Sequence, residues 1–299
     1  RSSAQAFGHR RLQGPMTPLR HSLLISLLAV AGFFGLRALP DTHCAFLHND
    51  HQPVIVDGVE FCGINEEANF YSPKLLQFPV EMKITLAEDG ATGELRLLKE
   101  EGHPYRDHEV AVSHTQKVHL HLRQSGGDRV YAHLHPRPSD DGAWRFDVPG
   151  YLRGHDLEAY ADFADVRTSR VMLAQAECKA VTPKHSIGFK GRNAIVSTEA
   201  STLKSGASAT IRLKLSGPEG KPIKLLPIMG SLGHVVVFSA ERPLAGYAHM
   251  HPTLEGGEYA PNPTLSFRLR LPSPGTYDLW LNLNDGQEEV LRTTLVVTP

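Results

Sequence analysis

The sequence has 299 residues, of which 21% are charged and 41% are apolar, and its formal net charge is -1. This composition is typical of globular domains and excludes a largely disordered chain. The near-zero net charge gives no bulk attraction to nucleic acid or to an anionic membrane surface, so nucleic acid is not expected as a partner. Histidine, the commonest metal ligand among side chains, occurs 17 times.

The N-terminal region has the pattern of a targeting segment. An uncharged, largely apolar run from Ser22 to Leu36 follows a short basic segment that begins at Met16, which is the expected natural start. Residues 1–40 are therefore predicted to be a signal peptide or a membrane anchor. Either alternative exports the rest of the chain to the periplasmic or extracellular side, and an anchor would attach it to the membrane.

Residues 41–77 are interpreted as a linker that contains cysteine and histidine. Cys44 and Cys62 could form a disulfide in an oxidising compartment. Alternatively, they could contribute to a soft metal site together with His43, His48 and His51. Pro73 predicts extended backbone at Ser72. Cys178, the third cysteine, is expected to be a small buried apolar residue.

One six-residue motif occurs twice, as Tyr-Ala-His-Leu-His-Pro at 131–136 and as Tyr-Ala-His-Met-His-Pro at 247–252. A strand-like run with its own histidine precedes each copy, at 117–122 and at 233–238. A Glu-Gly-x-Pro turn lies further upstream of each copy, and a run with an aromatic residue and an Asp or Asn follows it. Four landmarks in the same order predict a duplicated domain of about a hundred residues.

Apolar and polar residues alternate in several short runs, including 80–86, 209–215 and 265–271. This period of two is typical of half-buried strands, and turns rich in Gly and Pro separate the runs. The predicted fold is all-β, with two tandem immunoglobulin-like antiparallel β-sandwiches after an N-terminal hydrophobic helix. The repeats are expected at 78–183 and 184–299.

The first repeat is predicted to gather imidazoles on one face of a hairpin. Alternation puts His119 and His121 on the face opposite to their apolar neighbours. A turn at Gly126-Gly127 would place His119 across from His135 and His121 across from His133.

The second repeat gives a similar arrangement, with His234 across from His251 and Val236 across from His249. His114 and Met229 lie five residues before His119 and His234 and could each add a ligand. The candidate metal ligands are His119, His121, His133, His135, His234, His249, His251 and Met229. Imidazoles with a thioether suit copper or zinc, whereas hard cations prefer carboxylates. The alternative is that the histidines cap the sheet by bonding loop carbonyls and that His-Pro ends the strand.

No pattern typical of a hydrolase, a metalloprotease, a nucleotide-binding loop or a dinucleotide-binding fold is present. Glu158 and Asp162 share a face, but the matching residues of the second repeat are Asp278 and Asn282. General acid and base work in both copies would not tolerate an amide in one of them. These residues are therefore expected on solvated strand faces, and the protein is not expected to be an enzyme.

A histidine-bearing strand followed by Tyr-Ala-His-x-His-Pro and a Gly-x-Tyr strand resembles a family of exported bacterial proteins of unsettled function. That family is similar in style to small immunoglobulin-like periplasmic copper-handling domains. The resemblance covers about residues 80–298 and is clearest at 228–298, while the first repeat departs from it at Gly154-His155-Asp156. It implies an envelope location and a β-sandwich, and it suggests a metal role. Blue-copper proteins match less well, because the second repeat has no cysteine.

Two functions are therefore open. The first is non-catalytic metal binding at the cell envelope, with copper favoured and zinc as the second choice. The other is a non-catalytic interaction module, in which the histidines are structural and the loops bind an envelope protein.

Overall fold

The computed structural model describes residues 17–38, 54–56, 59–61, 70–181, 195–198, 203–217, 220–256 and 262–299. The chain divides into two compact units, residues 1–45 and residues 46–299. The first unit contains the N-terminal helix and the second contains all the described strands.

The predicted N-terminal helix is present as α1 (Pro18–Arg37). Proline fits the first turn because its missing N–H would have no helical partner there. The helix has 20 residues and a mean hydropathy of 1.7, so it is long and apolar enough to cross a membrane. A signal sequence meets the same criterion, so both predicted alternatives stay open.

A short segment leads from β1 (Val54–Val56) and β2 (Val59–Phe61), which pair antiparallel, to the one-turn helix α2 (Pro73–Leu76). Ser72 is extended as Pro73 predicts, but a helical turn follows it where an extended connection was expected. Tyr71 forms a β-bridge with Tyr247, which ties this segment to the second repeat. Cys44 and Cys62 lie outside the described residues.

The first repeat folds into two facing antiparallel sheets. Its strands are β3 (Val80–Leu86), β4 (Thr92–Lys99), β5 (Val110–Ala111), β6 (Val118–Gln124), β7 (Tyr131–Leu134), β8 (Arg137–Pro138), β9 (Trp144–Asp147), β10 (Leu157–Asp165) and β11 (Val171–Cys178). One sheet has the order β3-β4-β9-β8, and the other has the order β11-β10-β6-β7 with β5 beside β10. Short 3-10 turns occur at Asp107–Glu109 and Gly150–Leu152.

The second repeat has the same plan. Its strands are β12 (Ile195–Thr198), β13 (Leu203–Lys204), β14 (Ser208–Ser216), β15 (His234–Ser239), β16 (Tyr247–Met250), β17 (Thr253–Glu255), β18 (Thr264–Arg270), β19 (Gly275–Asn284) and β20 (Glu288–Thr298). The sheets have the orders β12-β14-β18-β17 and β13-β20-β19-β15-β16.

Apart from the short strands β5 and β13, which have no counterpart in the other repeat, the two repeats share one topology. A four-stranded sheet packs on a sheet that ends in the histidine-bearing hairpin, which is the layout of an immunoglobulin-like sandwich. The predicted fold class is confirmed. In each repeat the alternation of the sequence decides which side chains fill the core, as Val118, Leu120 and Leu122 do in β6. The buried, unpaired Cys178 lies in the same core, as expected.

Candidate metal centre

The two sandwiches contact each other through their hairpin-bearing sheets. Tyr131 of the first repeat lies 5.7 Å from Trp280 of the second, and the reciprocal pair, Tyr247 and Tyr160, lies at 5.0 Å between ring centroids. Tyr131 corresponds to Tyr247 in the duplicated motif, and Tyr160 to Trp280 in the run after it. Reciprocal contacts of this kind are those of an isologous, two-fold related interface.

One ion pair in this interface is fully buried. Arg123 is 1% exposed, donates to Glu158 at 3.0 Å and donates to the carbonyl of Ser239 across the interface at 2.7 Å. Glu158, expected on a solvated face, is also only 1% exposed. That expectation was wrong because the outer face of β10 is covered by the other sandwich.

The hairpin register is the predicted one. His121 pairs with His133 in the first repeat, and Val236 pairs with His249 in the second. Each hairpin was expected to form a site of its own, whereas the structure brings both sets together. The shared cluster contains His114, His119, His121, His133, His135, His234, His249 and His251.

In the second repeat, three imidazole nitrogens meet. The Nδ1 atom of His234 lies 3.3 Å from Nε2 of His249 and 2.9 Å from Nε2 of His251. The other nitrogen of His234, Nε2, lies 3.1 Å from the carbonyl of Ile228 and must donate its proton there. We therefore assign an unprotonated Nδ1 to neutral His234, with its lone pair directed at the other two rings.

The first repeat repeats this arrangement. The Nε2 atom of His119 donates to the carbonyl of Ser113 at 3.1 Å, and its Nδ1 lies 3.1 Å from Nε2 of His133. The ring of His135 lies 5.1 Å from that of His119. Among the described residues, Nδ1 of His133 and Nε2 of His135 are buried without a hydrogen-bond partner. Buried polar atoms without a partner are uncommon and indicate a missing ligand or water.

Asp162 on β10 was expected on a solvated face, but it lies at the centre of the cluster. Its Oδ2 accepts hydrogen bonds from His121 at 3.0 Å, from Tyr247 at 3.0 Å and from Nδ1 of His249 at 3.3 Å. Its side chain is 14% exposed. The signal that could have identified it is its register, because Asp162 pairs directly with His119.

Asp162 also fixes the rings around it. Since Nδ1 of His249 donates to the carboxylate, Nε2 of that ring carries a lone pair and faces His234. His121 is satisfied on both sides, because it donates to Asp162 and accepts from Tyr131 at 2.7 Å. A carboxylate that orients a histidine in this way is typical of the second coordination shell of metal sites.

The electrostatics keep the rings neutral. Burial lowers the pKa of His114 and of His135 to about 3. It also lowers the pKa of the other six rings, His119, His121, His133, His234, His249 and His251. Burial alone would raise the pKa of Asp162, but the neighbouring His249 and His121 hold it well below its usual range. At neutral pH the centre thus combines neutral imidazoles with one carboxylate.

Three overlapping groups have ligand atoms within 4.8 Å of one another and could hold a metal ion. They are His119 with His133 and His249, His234 with His249 and His251, and His121 with Asp162 and His249. Metal–nitrogen bonds of 2.0–2.1 Å place neighbouring ligand nitrogens about 2.8–3.4 Å apart. The separations of 2.9, 3.1 and 3.3 Å fall in that range.

In the loop before the histidine strand, the first repeat has His114 where the second has Met229. His114 and Met229 both adopt a positive φ of about 50°, one residue after the carbonyl that holds His119 or His234. The His114 ring lies 4.0 Å from that of His251. Met229 is half-buried in its turn, and its role as a ligand stays a prediction.

Similarity to known proteins is limited. A family model described as a domain of unknown function (DUF8832) matches residues 191–298. No characterised protein matches the sequence. The chicken interferon gamma receptor alpha chain aligns at 11% identity over 74% of this chain and 98% of that one, with a TM-score of 0.22. The Escherichia coli adhesin FdeC aligns at 15% identity over 77% of this chain and 66% of that one, with a TM-score of 0.22.

Proposed function

We propose that this protein is a non-catalytic, envelope-located metal-binding protein that takes copper in preference to zinc. The observation that carries the proposal is the pair of opposed lone pairs of His234 and His249, whose nitrogens lie 3.3 Å apart. Hydrogen bonds to Ile228 and Asp162 fix both tautomers, so neither nitrogen can donate to the other. A cation between them converts this unfavourable contact into two coordinate bonds.

Several other features support the choice of metal and of location. The ligand set is rich in imidazole, which suits copper and zinc, and contains one carboxylate, which is too few for calcium. Helix α1 fits export or anchoring. The motif resembles that of an exported bacterial family which is similar in style to periplasmic copper-handling domains. Five rings of the centre are only half-buried and leave it accessible to an ion from solvent, namely His114, His133, His135, His249 and His251.

A structural role for the histidines is the second candidate function. His121 favours it, because both of its nitrogens are satisfied by protein groups. In that case hydrogen bonds and aromatic packing hold the interface without a metal, and the paired sandwiches would present their loops to an envelope protein.

The direct test is metal analysis of the full chain purified in detergent without a metal-affinity step. We expect bound copper or zinc, and we expect the His234→Ala/His251→Ala variant to bind less of it while circular dichroism stays that of a β protein. The control variant His103→Ala/His108→Ala removes two exposed histidines of the first sandwich and should keep the metal. A wild-type protein that stays metal-free after incubation with either ion would refute the proposal.

A further inference from the structure

The cluster contains more ligands than one ion can use. Eight imidazoles and one carboxylate converge in it. Zinc in closed protein sites takes four ligands, and tetrahedral or square-planar copper takes a similar number. After His121 and Asp162 are assigned to their mutual hydrogen bond, seven rings remain; His114 lies in a loop, and the other six belong to the two histidine hairpins.

These six rings form two sets of three that the duplication relates. In the first set the ring centroids of His119, His133 and His135 are separated by 5.3, 5.1 and 4.7 Å. In the second set the equivalent separations among His234, His249 and His251 are 5.6, 4.4 and 5.1 Å. Each set also has one ring locked by a loop carbonyl, so that its Nδ1 faces the others.

Each set also contains a ring nitrogen whose hydrogen bonding is not satisfied within the set. In the second set, Nδ1 of His234 and Nε2 of His249 both present lone pairs; Nε2 of His251 can donate to Nδ1 of His234 at 2.9 Å, which leaves Nε2 of His249 without a donor in this set. In the first set, His133 has either a buried Nδ1 without a partner or a lone pair opposed to that of His119, depending on its tautomer. One cation in the second set would leave the first set unsatisfied.

From this duplication of ligands we infer that the centre holds two metal ions, one on each set of three histidines. The inference rests on the proposed metal-binding function and adds its stoichiometry. The two ions are neighbours, because His133 lies 5.4 Å from His234 and His119 lies 5.2 Å from His249 between ring centroids. His249 belongs to the ligand groups of both repeats, so His135, whose Nε2 is buried without a partner, completes the first set when His249 serves the second.

The charge balance of the centre favours one oxidation state of copper. Among the described residues, Asp162 is the carboxylate that accepts hydrogen bonds from rings of the cluster, from His121 at 3.0 Å and from His249 at 3.3 Å. Two divalent ions would leave three positive charges uncompensated in the interface, whereas two cuprous ions would leave one. Because uncompensated buried charge is costly, the pair is assigned as Cu(I).

The test counts Cu(I) ions on the full chain. The protein is titrated anaerobically with Cu(I) against a chromogenic chelator, and native mass spectrometry counts the ions per chain. Two ions per chain are expected. A single ion would overturn this inference and leave the proposed function standing, whereas no ion, with Zn(II) also failing to bind, would overturn both.

Substitutions at the half-buried rings assign the two ions. His135→Gln and His251→Gln should each leave one tightly bound ion, and the double variant should leave none. The matched control His103→Gln should keep two. If either single variant retains both ions with unchanged affinity, the assignment of three histidines to each ion is wrong.

Discussion

At the scale of single residues, Asp162 connects the two repeats through the hydrogen bonds of its side chain. One carboxylate oxygen receives hydrogen bonds from two histidines and a tyrosine, and these fix the tautomers of His121 and His249. The second repeat has Asn282 at this place, paired with His234 as Asp162 is paired with His119. The centre therefore has an anionic side and a neutral side.

Replacing Asp162 with Asn should weaken metal binding by about 10–100-fold, the usual effect of losing a second-shell carboxylate. The amide is nearly isosteric, so the fold should be retained, but its NH₂ group cannot accept the histidine protons. A competition titration with a chelator measures the loss. Asp156→Asn, at an exposed carboxylate paired with Lys179, is the control and should leave affinity unchanged. Equal affinity of Asp162→Asn and wild type would remove Asp162 from the site.

At the scale of strands and hairpins, much of the arrangement could be predicted. Alternation fixes which side chains of β6 enter the core, so the opposite parity of His119 and His121 follows from the sequence alone. The Gly126-Gly127 turn fixes the register that pairs His121 with His133. Both predictions depend only on local geometry.

The covering of the outer sheet faces could not be predicted in the same way. β10 is buried along almost its whole length, on both faces, because the second sandwich lies on it. The outward polar residues Glu158 and Asp162 look like solvated positions until that partner is present. The sequence contains one sign of the interface. Alternation along the strands puts the aromatic side chains of Tyr131 and Tyr247 on the same outward faces as the histidines.

Gly246 allows the segment at 70–72 to pack closely against the start of β16. Gly246 has a φ of +130°, and a Cβ there would lie 2.4 Å from the carbonyl oxygen of Tyr71. Gly246→Ala should therefore break the bridge between Tyr71 and Tyr247 and lower the free energy of unfolding. Gly286, at φ +109° with nothing within 4 Å, supplies the control.

Thermal unfolding of the two alanine variants separates the clash from the backbone strain that both share. Gly246→Ala should unfold at the lower temperature of the two. The same melting temperature for both would mean that the segment at 70–72 moves away from the new methyl group without loss of stability.

At the scale of the whole molecule, the buried histidines make stability depend on pH. An unfolded histidine titrates near 6.5. In the folded state burial lowers the pKa of His114 and of His135 to about 3. Between those values the unfolded chain binds more protons than the folded one, so stability falls as the pH falls.

Metal-free protein should therefore melt at progressively lower temperature as the pH is reduced from 7.5 to 5. Calorimetry after chelator treatment is the measurement. His135→Gln removes one of these groups and should flatten the dependence slightly. A melting temperature that stays constant or rises over this range would show that the rings of the folded protein take up protons at least as readily as those of the unfolded chain.

The reciprocal contacts between the sandwiches have a consequence for how the centre responds to dilution. Two separate subunits that share ligands lose their site when they dissociate, so their affinity for an ion depends on protein concentration. Here both ligand sets belong to one chain, and the second set is always present at the high effective concentration that a covalent link provides. Ion uptake by this protein should therefore be as tight in a dilute compartment as in a concentrated one.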